Sequence, residues 1–306
     1  MTSLPASTAE AAATSFPVLS FSAAQRAAAD PGSERVEEAL ALFAKHGALL
    51  LRDVFEPSRI EALDRRYRSR YRLELRKPDQ ADRRRLFTVD VEGPFADPGY
   101  YANPLAFPIL QRLLGRNCIL GACSSVVSWP GAPPQTVHRD SESLYGNFEI
   151  DVQLAPYAVT LLMPLVRADA VTGSTRVWLG THRVADFETA RAMPSVAHEV
   201  EPGSMLMTDS RVLHAGEPNR SESIRPLLYI TYHRSWFRDL GGYEKRPPVS
   251  LGWRRGRAID PARRAMFRVA DERDAADRVR WVLRRAADRW LPPSLRQLVG
   301  RRGSAS

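Results

Sequence analysis

Residues 203–232 read GSMLMTDSRVLHAGEPNRSESIRPLLYITY, in which apolar runs at 204–208 and 227–233 flank a stretch rich in Gly, Pro, Asn and Ser. Short apolar runs bounded by turn residues are expected to be strands. His214 closes a second apolar stretch immediately before the Gly-Glu-Pro-Asn turn. It is therefore expected at the mouth of a sheet structure, not in its core. The same texture continues outward over about 117–234, with further strands expected at 118–127, 152–154, 158–164, 175–179 and 196–200. Seven or eight short strands at this spacing predict a sandwich or barrel, including the jelly-roll class. A parallel sheet would need helices between the strands, and the pattern provides none.

The flanks read as helical. From Ser33, a candidate N-cap, Val36, Leu40 and Phe43 recur at helical spacing until His46 and Gly47 stop the pattern. A short strand over 48–51 follows, then a second helix after Pro57 marked by Ile60, Leu63 and Tyr67. Residues 65–85 hold ten basic residues against Glu74, Asp79 and Asp82, with Tyr67 and Tyr71 interleaved. A solvated helix face and loop is the favoured reading of this segment, and a mouth for an acidic substrate the alternative. Beyond Gly252 the chain is Arg-rich, and 261–291 reads as one long helix with Ala275, Val279, Val282, Ala286 and Trp290 on a stripe. The expected organisation is a disordered leader at 1–16, a mainly β domain with N-terminal helices at 17–250, and a basic amphipathic helical extension at 251–306.

Composition narrows the class. The 306 residues are 44% hydrophobic and 26% charged, with 18 Gly and 23 Pro, which excludes fibrous and disordered chains. No apolar run approaches the roughly 18 residues of a membrane span; the longest, 157–166, reads as a buried strand. The first basic residue is Arg26, so a secretory signal is not expected. Cys118 and Cys123 are too few for a disulfide framework, and a cytoplasmic location is expected. The net charge of +9 raises nucleic acid as a partner, but only Lys45, Lys77 and Lys245 among the 44 basic residues are lysines. That skew fits codon usage and solvated surface charge better than a phosphate-binding face.

Six histidines differ sharply in context. His138 and Asp140 stand in QTVHRD, after the turn-rich WPGAPP, and residues two apart on a strand share a face. His214 follows 74 positions after Asp140. Two imidazoles and one carboxylate with the remaining positions open is the donor set of non-haem Fe(II) oxygenases, and zinc hydrolysis uses the same donors. Arg225, eleven residues after His214 and on or just before the strand PLLYITYHRSW, favours the first, against the alternative of a surface arginine in a chain with 41 of them. A guanidinium fixed on a barrel strand holds a carboxylate bidentately, as the remote end of a metal-chelating dicarboxylic acid requires. His46, His182, His198 and His233 read as hydrogen-bonded scaffold, and Trp129, Trp178 and Trp236 as packing residues.

Over about 35–235 the chain resembles the phytanoyl-CoA dioxygenase family of Fe(II)- and 2-oxoglutarate-dependent oxygenases. ALALFAKHGALLLRDVFEPSRIEAL is similar to the family's opening, QTVHRD to its first metal motif, and TGSTRVWLGTHR to its Gly-rich strand. GSMLMTDSRVLHAGEPNRSESIRPLLYITY is similar to the second metal motif with its arginine, and is the most specific of these. The resemblance implies a double-stranded β-helix, the jelly roll of cupin-like proteins, with His138, Asp140 and His214 as iron ligands. It implies Arg225 as the partner of the distal carboxylate of 2-oxoglutarate, and Gln135 as a polar residue near that co-substrate. Leu227 stands where related enzymes often carry a Ser or Thr hydroxyl for the same carboxylate, so that hydroxyl is absent or comes from elsewhere. Related halogenases lack the carboxylate that Asp140 supplies, so hydroxylation or another two-electron oxidation is implied. The expected reaction uses Fe(II), 2-oxoglutarate and O2 to oxidise an unactivated C–H bond of a small molecule, releasing succinate and CO2. An oxygenase acting on a macromolecule, and a metal-binding jelly roll without turnover, are the alternatives.

Overall fold

The computed structural model describes residues 15–78, 82–239, 248–251 and 259–270. Among these, β1 (Val18–Ser20), β2 (Ala48–Arg52), β3 (Arg84–Thr88), β4 (Ile119–Ser128) and β5 (Ala158–Pro164) precede β6 (Thr175–Val177), β7 (Val196–His198), β8 (Met205–Asp209), β9 (His214–Gly216) and β10 (Arg225–His233). A seven-stranded sheet has the order β1-β2-β8-β5-β10-β4-β3, and a three-stranded sheet the order β7-β6-β9. All pairs are antiparallel except β1 with β2. The fold is sheet-rich with flanking helices, a jelly-roll-like architecture as expected from the strand pattern.

The central strands are largely apolar because both faces are covered. Leu49, Leu51, Leu161, Met163, Met205, Met207, Leu228 and Ile230 pack in one cluster with Phe43, Ile60, Leu63 and Tyr67 of the two N-terminal helices. The alternate residues Leu50, Leu162, Leu206 and Leu227 pack in a second cluster with Val177, Leu179 and Val200 around the small sheet. Period-two alternation thus sends one set to the helices and the other into the barrel. At about 25 cal/mol per Å² of apolar surface, a fully buried Leu or Met is worth about 2 kcal/mol relative to exposure.

The first long helix, Ser33–His46, buries Val36, Ala39 and Phe43. Its N-cap is Gly32, one position before the Ser33 expected for the cap, and Ser33 is the first helical residue. Gly47 ends it in the left-handed region at φ 69°, and a Cβ there would meet the His182 Nδ1 and Val212 at 2.4 Å. Both demands select glycine. The second helix, Pro57–Arg70, buries Ile60, Leu63 and Tyr67 as the spacing predicts.

Other expectations need correction. Residues 152–154 are not a strand but the turn after a short helix, Phe148–Asp151. The carbonyls of Asp151 and Leu154 accept from the buried Arg211 guanidinium, which holds that backbone away from any ladder. The basic segment 65–85 exposes Arg65, Arg66, Arg70, Arg72, Arg76, Lys77 and Arg83 as a solvated helix face and loop should, and departs from that reading chiefly at Arg84. It contains a helix end, a 3₁₀ turn (Glu74–Arg76) and the start of β3, where Arg84 is 4% exposed. Trp129 and Trp178 are buried as expected, whereas Trp236 is 59% exposed. The helix expected over 261–291 begins as a 3₁₀ helix, Pro261–Phe267, and lies from 271 onward outside the described residues. The leader expected at 1–16 also lies outside them except for Ser15 and Phe16; Phe16 is buried and stacks on His198. Cys118 and Cys123 are free and buried. Among the described residues no helix is long and apolar enough to cross a membrane.

His233 closes β10 beside a bulge in β4, where Gly121 leaves room for the imidazole; a Cβ at Gly121 would lie 2.2 Å from its ring. Burial, with a smaller contribution from Arg238, pushes the His233 pKa down to about 3. Between the ordinary histidine value of about 6.5 and that lower value, the unfolded chain binds a proton the folded chain refuses. Stability therefore falls as pH drops through this window. His233→Gln is expected to lose less stability than the parent between neutral and mildly acid pH, measured by urea unfolding at both; equal losses would refute the assignment.

Candidate active site

The centre is assembled by backbone pairing between two loops far apart in sequence. His138 and His214 exchange both backbone hydrogen bonds, each at 3.0 Å, and Asp140 N–H donates to the Ser210 carbonyl at 2.9 Å. A mutually bonded antiparallel pair puts both side chains on one face. The two rings lie 4.4 Å apart between centroids. His138 Nε2 stands 3.9 Å and His214 Nε2 3.4 Å from Asp140 Oδ1, and the three donor atoms lie within 4.8 Å of one another. The sequence-derived triad is thus brought together.

The remaining ring nitrogens decide what the triad can hold. His138 Nδ1 lies 2.8 Å from the Thr136 carbonyl and His214 Nδ1 3.1 Å from the Val212 carbonyl. Carbonyls only accept, so both Nδ1 atoms carry hydrogen and both Nε2 lone pairs are free to face one ion. This is the outer-shell arrangement that fixes imidazole ligands on a metal. Ligands about 2.1 Å from one ion sit about 3 Å apart when adjacent, so a small inward adjustment suffices. Two neutral imidazoles and one carboxylate suit a divalent transition metal. The side chains of His214 and Asp140 are 9% and 13% exposed but that of His138 is 40%, so the centre opens on the His138 side.

Burial opposes ionisation of Asp140, but the two imidazoles, His214 first, hold its carboxyl below the usual carboxylate range. For His214 burial again opposes the charge, and Asp140 overcomes it, raising the imidazole above its ordinary value. His138, lacking so close a partner, is lowered by burial and by His214. Asp140 is held by residues the sequence reading missed. Thr160 Oγ1 of β5 donates to Asp140 Oδ2 at 3.4 Å and lies 3.2 Å from Thr231 of β10, while Tyr229 hydrogen-bonds the same carboxylate. Arg139, between the two ligands, donates to the carbonyls of Arg211, Ala185 and Val184 and stacks on Phe148. Inward-facing hydroxyls within apolar runs are the only sequence signal that points to the first group.

Gln135 continues the zipper: its N–H donates to the Gly216 carbonyl at 2.9 Å, and its Oε1 accepts from Gly216 N–H at 2.8 Å. A Cβ at Gly216 would lie 2.5 Å from that oxygen. With Oε1 committed, Gln135 has its amide nitrogen left to offer a ligand. Arg225 is 3% exposed, and its Nε has no hydrogen-bond partner. It lines a small cavity with Leu162, Pro164, Thr175, Leu206 and Leu227. Burial and the nearby Arg84 cation bring its pKa down to about 10, still charged at neutral pH. A buried guanidinium with an orphaned donor costs about 1–3 kcal/mol until an acceptor arrives. Along β10, four residues separate Arg225 from Tyr229 beside Asp140, about 13 Å of strand.

The family described as Phytanoyl-CoA dioxygenase (PhyH) matches residues 43–227. The iron/alpha-ketoglutarate-dependent dioxygenase ausU of Aspergillus calidoustus is 35% identical over 88 residues, 28% of this chain and 29% of that protein. The chain therefore matches under a third of that relative's length. Dioxygenase af480 of Aspergillus fumigatus is 23% identical over 71% of this chain and 72% of that protein. Among solved structures, the non-haem alpha-ketoglutarate-dependent epimerase SnoN from nogalamycin biosynthesis superposes with a TM-score of 0.54 at 15% identity, covering 66% of this chain and 84% of that one. HygX from Streptomyces hygroscopicus, with nickel, 2-oxoglutarate and hygromycin B bound, gives 0.52 at 17% identity, covering 66% and 88%.

Because the metal must displace the proton that Asp140 stabilises on His214, affinity for a divalent probe such as Mn(II) is expected to rise with pH until above the ordinary histidine value and then level off. Asp140→Asn removes both a ligand and that stabilisation. It should weaken binding by at least about tenfold and move the pH midpoint downward, as read by calorimetric titration across the histidine range. An unmoved midpoint would refute the coupling.

Proposed function

The chain belongs to the phytanoyl-CoA dioxygenase family, and from that premise we propose that His138, Asp140 and His214 hold iron, Arg225 holds the distal carboxylate of 2-oxoglutarate, and the protein oxidises a small molecule. The observation that carries this reading is the paired Nδ1–H donation of His138 and His214, which leaves two Nε2 atoms and Asp140 Oδ1 facing one point. Iron with 2-oxoglutarate and O2 supplies the oxidising power to cleave a C–H bond, with release of succinate and CO2. The rest falls to the chain's own groups.

Thr160 and Tyr229 hold the Asp140 carboxylate, so its Oδ1 stays turned toward the imidazoles. Arg139 clamps the loop that carries His138 and Asp140 from its far side through three backbone carbonyls. Arg225 would hold a carboxylate beside the apolar side chains of Leu162, Leu206 and Leu227, which line the small cavity at its guanidinium. The substrate enters from the half-exposed His138 side. A small molecule is favoured because SnoN and HygX have been crystallised with nogalamycin RO and hygromycin B.

Anaerobic titration of the metal-free protein with Fe(II) and then 2-oxoglutarate is expected to develop the weak visible charge-transfer band of the chelate. Arg225→Ala should need at least about tenfold more 2-oxoglutarate to reach the same band. Asp140→Ala should abolish succinate formation coupled to substrate oxidation. Iron uptake without a band would return the chain to a metal-binding barrel without turnover.

A further inference from the structure

Leu86 of β3, Val126 of β4 and Leu227 of β10 stand directly opposite one another across three strands, and residues so placed share a face. That face is the inner one. Leu227 packs with Leu162, Leu206 and Val177 inside the barrel, while Phe87, the next residue of β3, turns the other way, its ring 6.3 Å from that of Tyr67 and 5.2 Å from that of Tyr71. An exposed leucine by itself carries no message. Leu86 differs because it sits on the barrel side of its strand and is still 44% exposed, with Val126 beside it only half-buried.

The cause is the width of the small sheet. It runs β7-β6-β9, and His138 adds one bridge beyond β9 through its pairing with His214. From that last segment Asp140 reaches Thr160 of β5 and Tyr229 of β10. The small sheet therefore ends above β10, and among the described residues its strands leave the next two strands of the large sheet, β4 and β3, uncovered on the inside. Leu86 lies two strand spacings, about 10 Å, from β10. A strip of sheet thus leads from the triad to the solvent, on the side where His138 is half-exposed.

What this strip offers a ligand is apolar. Its open part is Leu86 and Val126. The next row toward the triad is Thr88, Ser124 and Tyr229, each of which already has an interaction partner. In the other direction Arg84 is 4% exposed and donates to the Glu217 carbonyl. A stable contact with a second copy of the chain would bury about 800 Å² per partner, far more than two side chains provide. A small molecule already bound at the triad needs no more than that.

We propose that this strip carries the apolar body of the substrate: the enzyme takes a molecule with an extended apolar part, which lies on Leu86 and Val126 while its reacting carbon faces the triad, and Leu86 sets specificity at the outer end. The proposal rests on the oxygenase reading above and names the substrate class within it. One methylene more or less in such a contact changes binding by about tenfold or more.

The test uses the full-length protein loaded with Mn(II) and 2-oxoglutarate, and 1-octanol as an uncharged probe with an apolar chain. Proton relaxation of the probe, compared with the Zn(II)-loaded protein, reports binding beside the metal. Octanol is expected to be relaxed by Mn(II) in the parent, and glucose is not. Leu86→Asp should weaken octanol by at least about tenfold and leave the calorimetric affinity for 2-oxoglutarate within about twofold. Leu86→Met, which conserves volume and polarity, should bind octanol as the parent does. So should Val171→Asp, at a residue 55% exposed on the connection between β5 and β6. Equal relaxation of octanol in the parent and Leu86→Asp, or relaxation of glucose in place of octanol, would overturn the proposal. A dimer seen by ultracentrifugation in the parent and lost in Leu86→Asp would make the strip an interface between copies and equally overturn it. Octanol held beside Mn(II) in a parent that does not bind 2-oxoglutarate would refute the co-substrate reading and leave this one standing.

Discussion

Everything chemical in this molecule depends on the backbone zipper between residues 135–141 and 210–216. Asp140 and His214 are 74 positions apart, and no local motif could bring them within reach. The reciprocal hydrogen bonds of His138 with His214, the hydrogen bond from Asp140 to Ser210 and the two hydrogen bonds between Gln135 and Gly216 do so. Each is an ordinary hydrogen bond, worth about 1 kcal/mol net, yet together they bring the three donor atoms within 4.8 Å of one another. The glycine at 216 belongs to this device, since a side chain there would displace the Gln135 amide. Carbonyls of the same two strands, Thr136 and Val212, then choose the imidazole tautomers. Ladder and triad are one structure.

The triad was legible in the sequence because each ligand sits beside turn residues at the end of an apolar run, where a barrel places its mouth. The arginine was legible because it opens the next run. The residues that support them were not. Thr160 and Thr231 sit inside stretches that read simply as buried strand, and only the register of β5 against β10 shows that they meet beside Asp140. β3 escaped notice for the opposite reason, since a run of three arginines reads as solvent-facing. In the sheet, period-two alternation turns Arg84 inward and Arg85 toward the Glu74 carbonyl. The turn at 152–154 failed as a strand because a tertiary partner, Arg211, claims its backbone.

The two ends of the barrel interior carry opposite charge logic. At the end that carries the triad, the Asp140 carboxylate is surrounded by donors and by imidazoles, which stabilise its charge. At the other end, Arg225 lies among Leu162, Leu206 and Leu227 with another cation as its electrostatic neighbour. Such an arrangement is unfavourable in isolation, because like charges in a low-dielectric wall have no solvent to screen them. Strain of this kind persists at sites whose function relieves it. A ligand that brings negative charge to the arginine end and metal-chelating oxygens to the other satisfies both ends at once.

The same reasoning explains why a chain of net charge +9 need not be a nucleic-acid binder. Many of its arginines are spent on backbone carbonyls. Arg139 caps three, Arg211 two and Arg234 the carbonyls of Pro156 and Leu113, while Arg83 and Arg85 bond those of Pro130 and Glu74. A jelly roll leaves long connections between strands, and each connection carries carbonyls that no ladder satisfies. The guanidinium group offers five donors in a planar fork and stays charged when half-buried, which a lysine ammonium does less well. The excess of arginine over lysine therefore has a structural use whatever its genomic origin: it fastens the loops that carry His138, Asp140 and the Phe148 turn to the barrel.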